Sequence, residues 1–216
     1  MNRPFDKARE LLEEGSPEEA LEILHLDERV LGSEERRDLY YLLASILLDI
    51  GEPESAQEYL AKALSLGEDA ELRVLEAHLH LATGSVNNAL CSAEQAIRLE
   101  PGEAAAHHTR GIVLVFRGRL EDADRAFARA EELNPNGYFR PHRLSRQEFD
   151  RAVEKVLATL PQSFRCHLAN VEIAVEDVPS PELLEEGAGH ELLGLAAGEV
   201  MTHFTLFEYS AHFVLE

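Results

Sequence analysis

Residues Ala104 to Gly137 read AAAHHTRGIVLVFRGRLEDADRAFARAEELNPNG and contain the clearest structural pattern of the chain. Numbered from Ala104 as position 1, its marker residues are Gly111 at 8, Gly118 at 15, Ala123 at 20, Phe127 at 24, Ala130 at 27 and Pro135 at 32. A glycine between two helical segments is typical of a turn, and a proline is typical of a helix end. The stretch therefore predicts two helices that are joined at Gly118.

The same pattern occurs three more times toward the N-terminus. One period earlier, the six positions hold Ala77, Gly84, Ala89, Ala93, Ala96 and Pro101. The period before that holds Ala44, Gly51, Ala56, Leu60 and Ala63, with Glu68 in place of the proline. The first period holds Ala8, Gly15, Ala20 and Leu24, with Asp27 in place of the small residue and a slightly longer spacer. Residues 1–136 therefore contain four repeats.

This pattern resembles the tetratricopeptide repeat (TPR), a helix–turn–helix unit of about 34 residues. Small residues at positions 8, 20 and 27 would let neighbouring helices approach closely, and apolar residues such as Leu39, Leu43 and Ile46 recur at helical spacing. A helical pair cannot bury its apolar face alone, so the resemblance implies a stacked α-solenoid with a concave groove. The expected fold class is mainly α, with a four-repeat TPR solenoid followed by a small α+β domain.

The resemblance also implies which residues line the groove, because the family uses certain first-helix positions, among them 5, 9, 12 and 13. The peptide-binding residues implied in this way are Tyr41, Ser45, Leu48, His78, Leu81, His108, Ile112 and Phe116. Family members that grip carboxylates place Lys or Arg at position 2, where this chain has Asp38, Glu71 and Ala105. Without donors for a carboxylate, an apolar or amphipathic helix is the expected ligand. A second interpretation is that these residues cover the chain's own C-terminal segment.

The last third of the chain has a different pattern. Residues 137–145 are predicted to be a linker between a domain of residues 1–136 and a domain of residues 146–216. Ser145-Arg146-Gln147-Glu148 resembles a capping box that starts an amphipathic helix ending before Pro161. The remaining predictions are strands at residues 170–177, 192–195, 205–209 and 213–215 and a short helix at 181–186.

The order of these elements over residues 145–208 is similar to the start of the minimal zincin-like metallopeptidase family. In that family a later helix bears H-E-x-x-H, which supplies two zinc ligands and a glutamate that activates water. The segment from His190 begins in the same way, but Gly194 stands where the second histidine belongs. We therefore expect no catalytic residue, no metal ligand and no cofactor in these residues. Structural roles are expected for His190, His203 and His212, whereas His78 and His108 are expected to be hydrogen-bonded surface residues of the groove and not metal ligands.

Composition narrows the choice of partner. The chain has 20 Lys and Arg against 41 Asp and Glu, a formal charge of −21, which disfavours nucleic acid as a partner. With no apolar stretch long enough for a membrane span or signal peptide, we expect no membrane contact and a cytoplasmic location. Cys91 and Cys166 are far apart in sequence and are expected to be buried small residues.

These observations favour a protein–protein interaction adaptor that carries a degenerate, catalytically inactive zincin-like domain. One alternative is a fragment of a zinc-dependent metallopeptidase whose catalytic helix lies beyond Glu216. A third interpretation is a homo-oligomer that forms through the strand edge of the C-terminal domain.

Overall fold

The computed structural model describes residues 3–24, 28–141, 146–163, 172–176, 178, 180, 183, 194–197 and 203–207. The chain divides into two compact bodies. The N-terminal body comprises residues 1–139 and 181–187, and the C-terminal body comprises residues 140–180 and 188–216. The predicted domain boundaries at residues 136 and 146 stay a prediction.

The described residues of the N-terminal body form four helix pairs, as the period predicts, and the chain is mainly helical. The helices are α1 (Arg3–Glu13), α2 (Pro17–Ile23), α3 (Ser33–Asp49), α4 (Pro53–Leu66), α5 (Ala70–Ala82), α6 (Val86–Leu99), α7 (Ala104–Phe116) and α8 (Leu120–Leu133). Each odd-numbered helix packs on the helix that follows it, which defines repeats 1 to 4. A short 3₁₀ helix at Glu28–Val30 lies in the longer spacer after repeat 1.

Each helix pair turns at the glycine of position 15. Gly15, Gly51, Gly84 and Gly118 have φ angles of 74°, 81°, 69° and 65°, in the left-handed region that other residues rarely adopt. The residue after each glycine donates its backbone N–H to the carbonyl five residues earlier, at 2.7 to 2.9 Å. This arrangement satisfies carbonyl groups at the end of the first helix, so the turn and the helix end are formed by the same residues.

Small residues allow the helices of each pair to approach closely. Position 8 holds Ala8, Ala44 and Ala77, whose exposed fractions are 0%, 1% and 0%. In repeat 4 the same position holds Gly111, and a Cβ placed there would lie 2.5 Å from Cε1 of Phe127. Phe127 is fully buried and belongs to the second helix of that pair. Burial therefore confirms that position 8 is a packing position.

The first helices of the repeats lie side by side. Helix α3 contacts α1 and α5, and α5 contacts α7 in turn. The second helices reach the next repeat as well, since α2 packs on α3, α4 on α5 and α6 on α7. We call the surface formed by α1, α3, α5 and α7 the first-helix face, and it carries the positions that the family resemblance assigns to ligand binding.

The described residues of the C-terminal body form helix α9 (Arg146–Thr159) and a three-stranded sheet. The strands are β1 (Glu172–Glu176), β2 (Gly194–Ala197) and β3 (His203–Phe207), in the order β1-β3-β2. Strand β1 runs parallel to β3 with Glu172 opposite His203, and β2 runs antiparallel to β3 with Gly194 opposite Leu206. The three strands overlap segments whose apolar pattern predicts strands, and the parallel pairing is not evident from that pattern.

Several sequence predictions lie outside the described residues. They are the capping box at Ser145, most of the short helix at 181–186, the strand at 213–215, and the surroundings of Cys166, His190 and His212. The expectation that Cys91 is buried is wrong, because its side chain is exposed on α6 while its neighbours Leu90 and Ser92 face the interior. No helix among the described residues is both long enough and apolar enough to cross a membrane.

Candidate functional site

The eight predicted groove residues all lie on the first-helix face. They comprise Tyr41, Ser45 and Leu48 on α3, His78 and Leu81 on α5, and His108, Ile112 and Phe116 on α7. Six of them are half-buried, so part of each side chain remains exposed. Leu81 exposes none of its surface and Ile112 only 7%, so these two side chains belong to the core between helices. The structure therefore narrows the candidate site to the other six residues.

Tyr41 lies where the cores of neighbouring repeats meet. Its side chain packs against the cluster around Phe5 and Leu39 and also against the cluster around Leu60 and Leu72. Burial, followed by the charge of Glu71, raises the pKa of the Tyr41 phenol to about 12. The ring is therefore a neutral, partly sheltered aromatic surface at every physiological pH.

Carboxylates mark the N-termini of α5 and α7 on this face. Asp69 Oδ1 accepts a hydrogen bond from the backbone N–H of Leu72 at 2.9 Å, and Asp69 Oδ2 lies 3.2 Å from Nη1 of Arg37. Glu103 Oε1 accepts a hydrogen bond from the N–H of Ala105 at 3.0 Å. Both side chains thus cap helices, where the helix dipole favours negative charge.

Glu71 is a carboxylate whose charge is poorly compensated. Burial raises its pKa, and the charges of Asp69, Glu103 and Asp38 raise it further. Arg9 on α1 is near enough to act in the opposite direction on this pKa. Acidic groups from repeats 2, 3 and 4 therefore act on a single region of the first-helix face.

His78 connects two neighbouring repeats. Its Nε2 shares a hydrogen bond of 2.9 Å with Oγ1 of Thr109, which is 1% exposed on α7. This bond satisfies a buried hydroxyl and holds the imidazole of α5 against the next repeat. Within the described part of the chain, no group of three or more His, Cys, Asp or Glu side chains is arranged to hold a metal ion.

His108 is enclosed by aromatic rings. The centroid of its ring lies 5.3 Å from that of Phe127, in an edge-on arrangement, and 4.9 Å from that of Tyr138. Burial lowers the pKa of His108 to about 4, so its imidazole is neutral at pH 7. Although His108 occupies the same repeat position as Tyr41, its ring is covered by a residue that follows the last repeat.

Two residues that act on this face, Glu103 and Tyr138, were not predicted from the sequence. Glu103 lies 34 residues after Asp69, and Tyr138 lies 34 residues after Ala104. Extending the period by one residue before position 1 would have found Glu103, and starting a further period after Gly137 would have found Tyr138. They were missed because the signature positions describe packing inside a helix pair and stop at its ends.

The comparison with protein families gives a match in repeat 2. A sequence profile described as the tetratricopeptide repeat matches residues 38–69, which include most of α3 and all of α4. This segment of the chain is therefore similar to a TPR. No curated protein matches the sequence.

Among solved structures, the chain is similar to MamA, with 22% identity over 59% of this chain and 74% of that one, at a TM-score of 0.46. It is similar to YrrB, described as a TPR protein with an unusual peptide-binding site, with 21% identity, coverage of 60% and 66%, and a TM-score of 0.46. A thermophilic TPR protein of Thermus thermophilus shares 21% identity over 71% of this chain and 80% of that one, at a TM-score of 0.49. The zincin-like resemblance of residues 145–208 stays a prediction.

Proposed function

We propose that the tetratricopeptide repeats of residues 1–136 form a protein-interaction adaptor, whose first-helix face binds a peptide or helix that carries apolar and basic side chains. The residues proposed to carry binding are Tyr41, Ser45, Leu48, His78 and Phe116. The observation that carries the proposal is the combination of half-buried aromatic and apolar surface with carboxylates from three successive repeats on one face.

The apolar part of this face supplies contact area for a ligand. Tyr41 and Phe116 are aromatic side chains that keep part of their surface in water, which is the type of residue that anchors ligands at interfaces. Leu48 adds an aliphatic side chain that is half-buried and lies between them in the chain order. A helix that presents apolar residues at helical spacing would shelter these side chains from water.

The carboxylates of this face determine which sign of charge the ligand should carry. Glu71 has a raised pKa because it is partly buried and because like charges surround it, so a cation placed nearby would relieve repulsion. Arg9 is a basic group that acts on this region, and Asp38 stands where carboxylate-binding relatives place a base. With a formal charge of −21 on the chain, basic segments would also be attracted at long range.

The proposal is tested with a synthetic helical peptide of about five turns, with Leu at helical spacing and Lys elsewhere. The same peptide with Glu in place of Lys is the charge-reversed control. We expect the Lys peptide to bind, with an affinity that falls as salt rises from about 50 to 300 mM, and the Glu peptide not to bind. Isothermal titration calorimetry measures both.

Matched variants separate the face from general charge attraction. Tyr41→Ala and Phe116→Ala should each weaken the Lys peptide about tenfold, whereas Tyr59→Ala, on the second helix of repeat 2, should have little effect. Glu71→Gln should weaken binding more than Glu58→Gln, which removes the same charge from α4. Equal losses in the two glutamine variants would mean that the peptide responds only to net charge, and the proposed site would be wrong.

For residues 146–216 we propose a non-catalytic domain that resembles the zincin-like family. The support is the sequence itself, in which Gly194 replaces the second histidine of the motif that begins at His190. We expect purified protein to contain no stoichiometric zinc by elemental analysis. Zinc that is retained and then lost on His190→Ala would contradict this proposal. Light scattering over a range of concentrations tests self-association through the same domain.

A further inference from the structure

The chain turns back sharply after the last repeat. Helix α8 ends at Leu133, and the carbonyl of Asn134 accepts hydrogen bonds from the N–H groups of Gly137 and Tyr138 at 3.2 and 3.0 Å. The side-chain oxygen of Asn134 accepts a further bond from the N–H of Gly137 at 3.1 Å. A Cβ at Gly137 would lie 2.5 Å from the side-chain nitrogen of Asn134, so the Asn134 side chain lies directly against Gly137. This turn fixes the position of Tyr138.

Tyr138 uses that position to cover a residue of the first-helix face. Its ring lies 4.9 Å from the ring of His108, at an interplanar angle of 42°. The ring of Phe127 also packs against the imidazole, with 5.3 Å between the two ring centroids. Burial raises the pKa of Tyr138 and lowers that of His108, as expected for two rings that remove each other from water.

The covered position is equivalent to one that is proposed to bind ligand. His108 stands at position 5 of repeat 4, where repeat 2 has Tyr41. Among the described residues, no fifth helix pair of the period follows repeat 4. Tyr138 follows Ala104 by 34 residues, which places it at position 1 of the period that would come next. The contact is selective, because the adjacent Phe139 leaves 57% of its surface exposed.

We propose that Tyr138 is an intramolecular occupant of the first-helix face at repeat 4, which a bound peptide must displace to reach His108 and extend toward Phe116. This inference rests on the proposed function, because it concerns the regulation of the same face. The free chain is then partly self-occupied, and the affinity for a long peptide is lower than the face alone would provide. A ligand that ends before repeat 4 is not affected.

The experiment compares Tyr138→Ala with Phe139→Ala, a matched control that removes an exposed aromatic ring from the next residue. The first measurement is the titration of His108 by NMR in the absence of ligand. In Tyr138→Ala we expect the pKa of His108 to rise from about 4 toward its ordinary value of 6.5, and in Phe139→Ala we expect it to stay at about 4. Tyr138→Phe keeps the ring and should behave as the wild type.

The second measurement is the affinity for the Lys peptide described above, which is long enough to cover several repeats. Tyr138→Ala should bind it about threefold to tenfold more tightly, the range expected for loss of one competing aromatic contact. Tyr138→Ser provides a second variant without the ring, and helix content by circular dichroism shows that each variant is folded.

The outcomes separate this inference from the proposed function. An unchanged His108 titration in Tyr138→Ala and Tyr138→Ser would overturn the contact itself. A raised His108 pKa with unchanged peptide affinity would overturn the displacement, because the ring would then cover the imidazole without competing for ligand. If neither the wild type nor any variant binds the Lys peptide, the proposed function is wrong, whatever the titration of His108 shows.

Discussion

Replacing Gly111 by alanine should destabilise the protein, although alanine is the residue that the other three repeats have at this position. The new Cβ would lie 2.5, 2.7 and 2.8 Å from three ring carbons of Phe127, closer than side-chain carbons normally approach. The ring cannot move aside easily, because it is fully buried and also packs against His108. The added methyl group would therefore disrupt a tight contact between the two helices of repeat 4.

The magnitude follows from two opposing effects. Overpacking of a well-packed core costs about 1–3 kcal/mol, while replacing glycine by alanine inside a helix gains about 1 kcal/mol. The free energy of unfolding of Gly111→Ala should therefore fall by about 1 kcal/mol. Phe127→Leu alone should lose about 1–2 kcal/mol because it leaves a void. The double variant restores the alanine–leucine pair that repeats 1 and 2 have at positions 8 and 24.

Urea unfolding followed by circular dichroism measures all three variants as a double-mutant cycle. While Phe127 is present the clash dominates, whereas in the Phe127→Leu background Gly111→Ala should become stabilising, so we expect a coupling energy of about 2 kcal/mol. Gly102→Ala is the control, because a Cβ there meets no atom within 4 Å. Additive effects in the cycle, with a coupling near zero, would refute the argument that Gly111 and Phe127 fit each other.

Three further predictions concern helix ends and charge. Asp69→Ala should lower the free energy of unfolding by about 1 kcal/mol, because the N–H of Leu72 loses the acceptor that lies 2.9 Å away. Urea unfolding measures this change. Gly84→Ala should lower it by about 1–2 kcal/mol and reduce the thermal midpoint, because its φ of 69° is strained for alanine. The pKa of Glu71 is raised in the folded state, so the folded protein binds the Glu71 proton more tightly than the unfolded chain does. The free energy of unfolding therefore falls as the pH rises from the unfolded-state pKa of Glu71 through its raised folded-state pKa. Glu71→Gln should therefore be more stable than the wild type at pH 7, with a difference that disappears in acid.

Each of these predictions has an outcome that would contradict it. An unchanged unfolding midpoint for Asp69→Ala would mean that Asp69 does not act as a cap. A neutral Gly84→Ala would mean that the turn can adopt another backbone conformation. If the stability difference of Glu71→Gln is the same at pH 3 and pH 7, the charge of Glu71 is not its cause.

The repeat period predicted the parts of the fold that depend on packing within a helix pair. The turns at Gly51 and Gly84, and the burial of Ala44 and Ala77, are where the spacing placed them. These features are local, because a turn glycine and a small contact residue have the same requirements in every repeat. The TPR profile that matches residues 38–69 covers most of the repeat that the sequence pattern assigns to α3 and α4, so the two agree there.

The candidate site could be predicted only in part, because exposure depends on the neighbouring repeat. Leu81 and Ile112 have the right position number, yet they are buried between helices. His108 has the right position number as well, yet its surroundings are decided by Tyr138, which lies beyond the last signature residue. Position numbers specify an angle around a helix axis and do not specify what lies opposite.

The contact of Gly111 with Phe127 has a consequence for how such a chain can grow. The two residues belong to one helix pair, so a duplication that copied a whole repeat would carry its complementary shapes with it. Only the interfaces between neighbouring repeats would have to adapt. The hydrogen bond between His78 and Thr109 is one contact of this kind. A duplication that began inside a pair would separate a large side chain from its matching small one. Lengthening by whole periods therefore disturbs the fewest contacts, and the steps between one viable length and the next are about 34 residues.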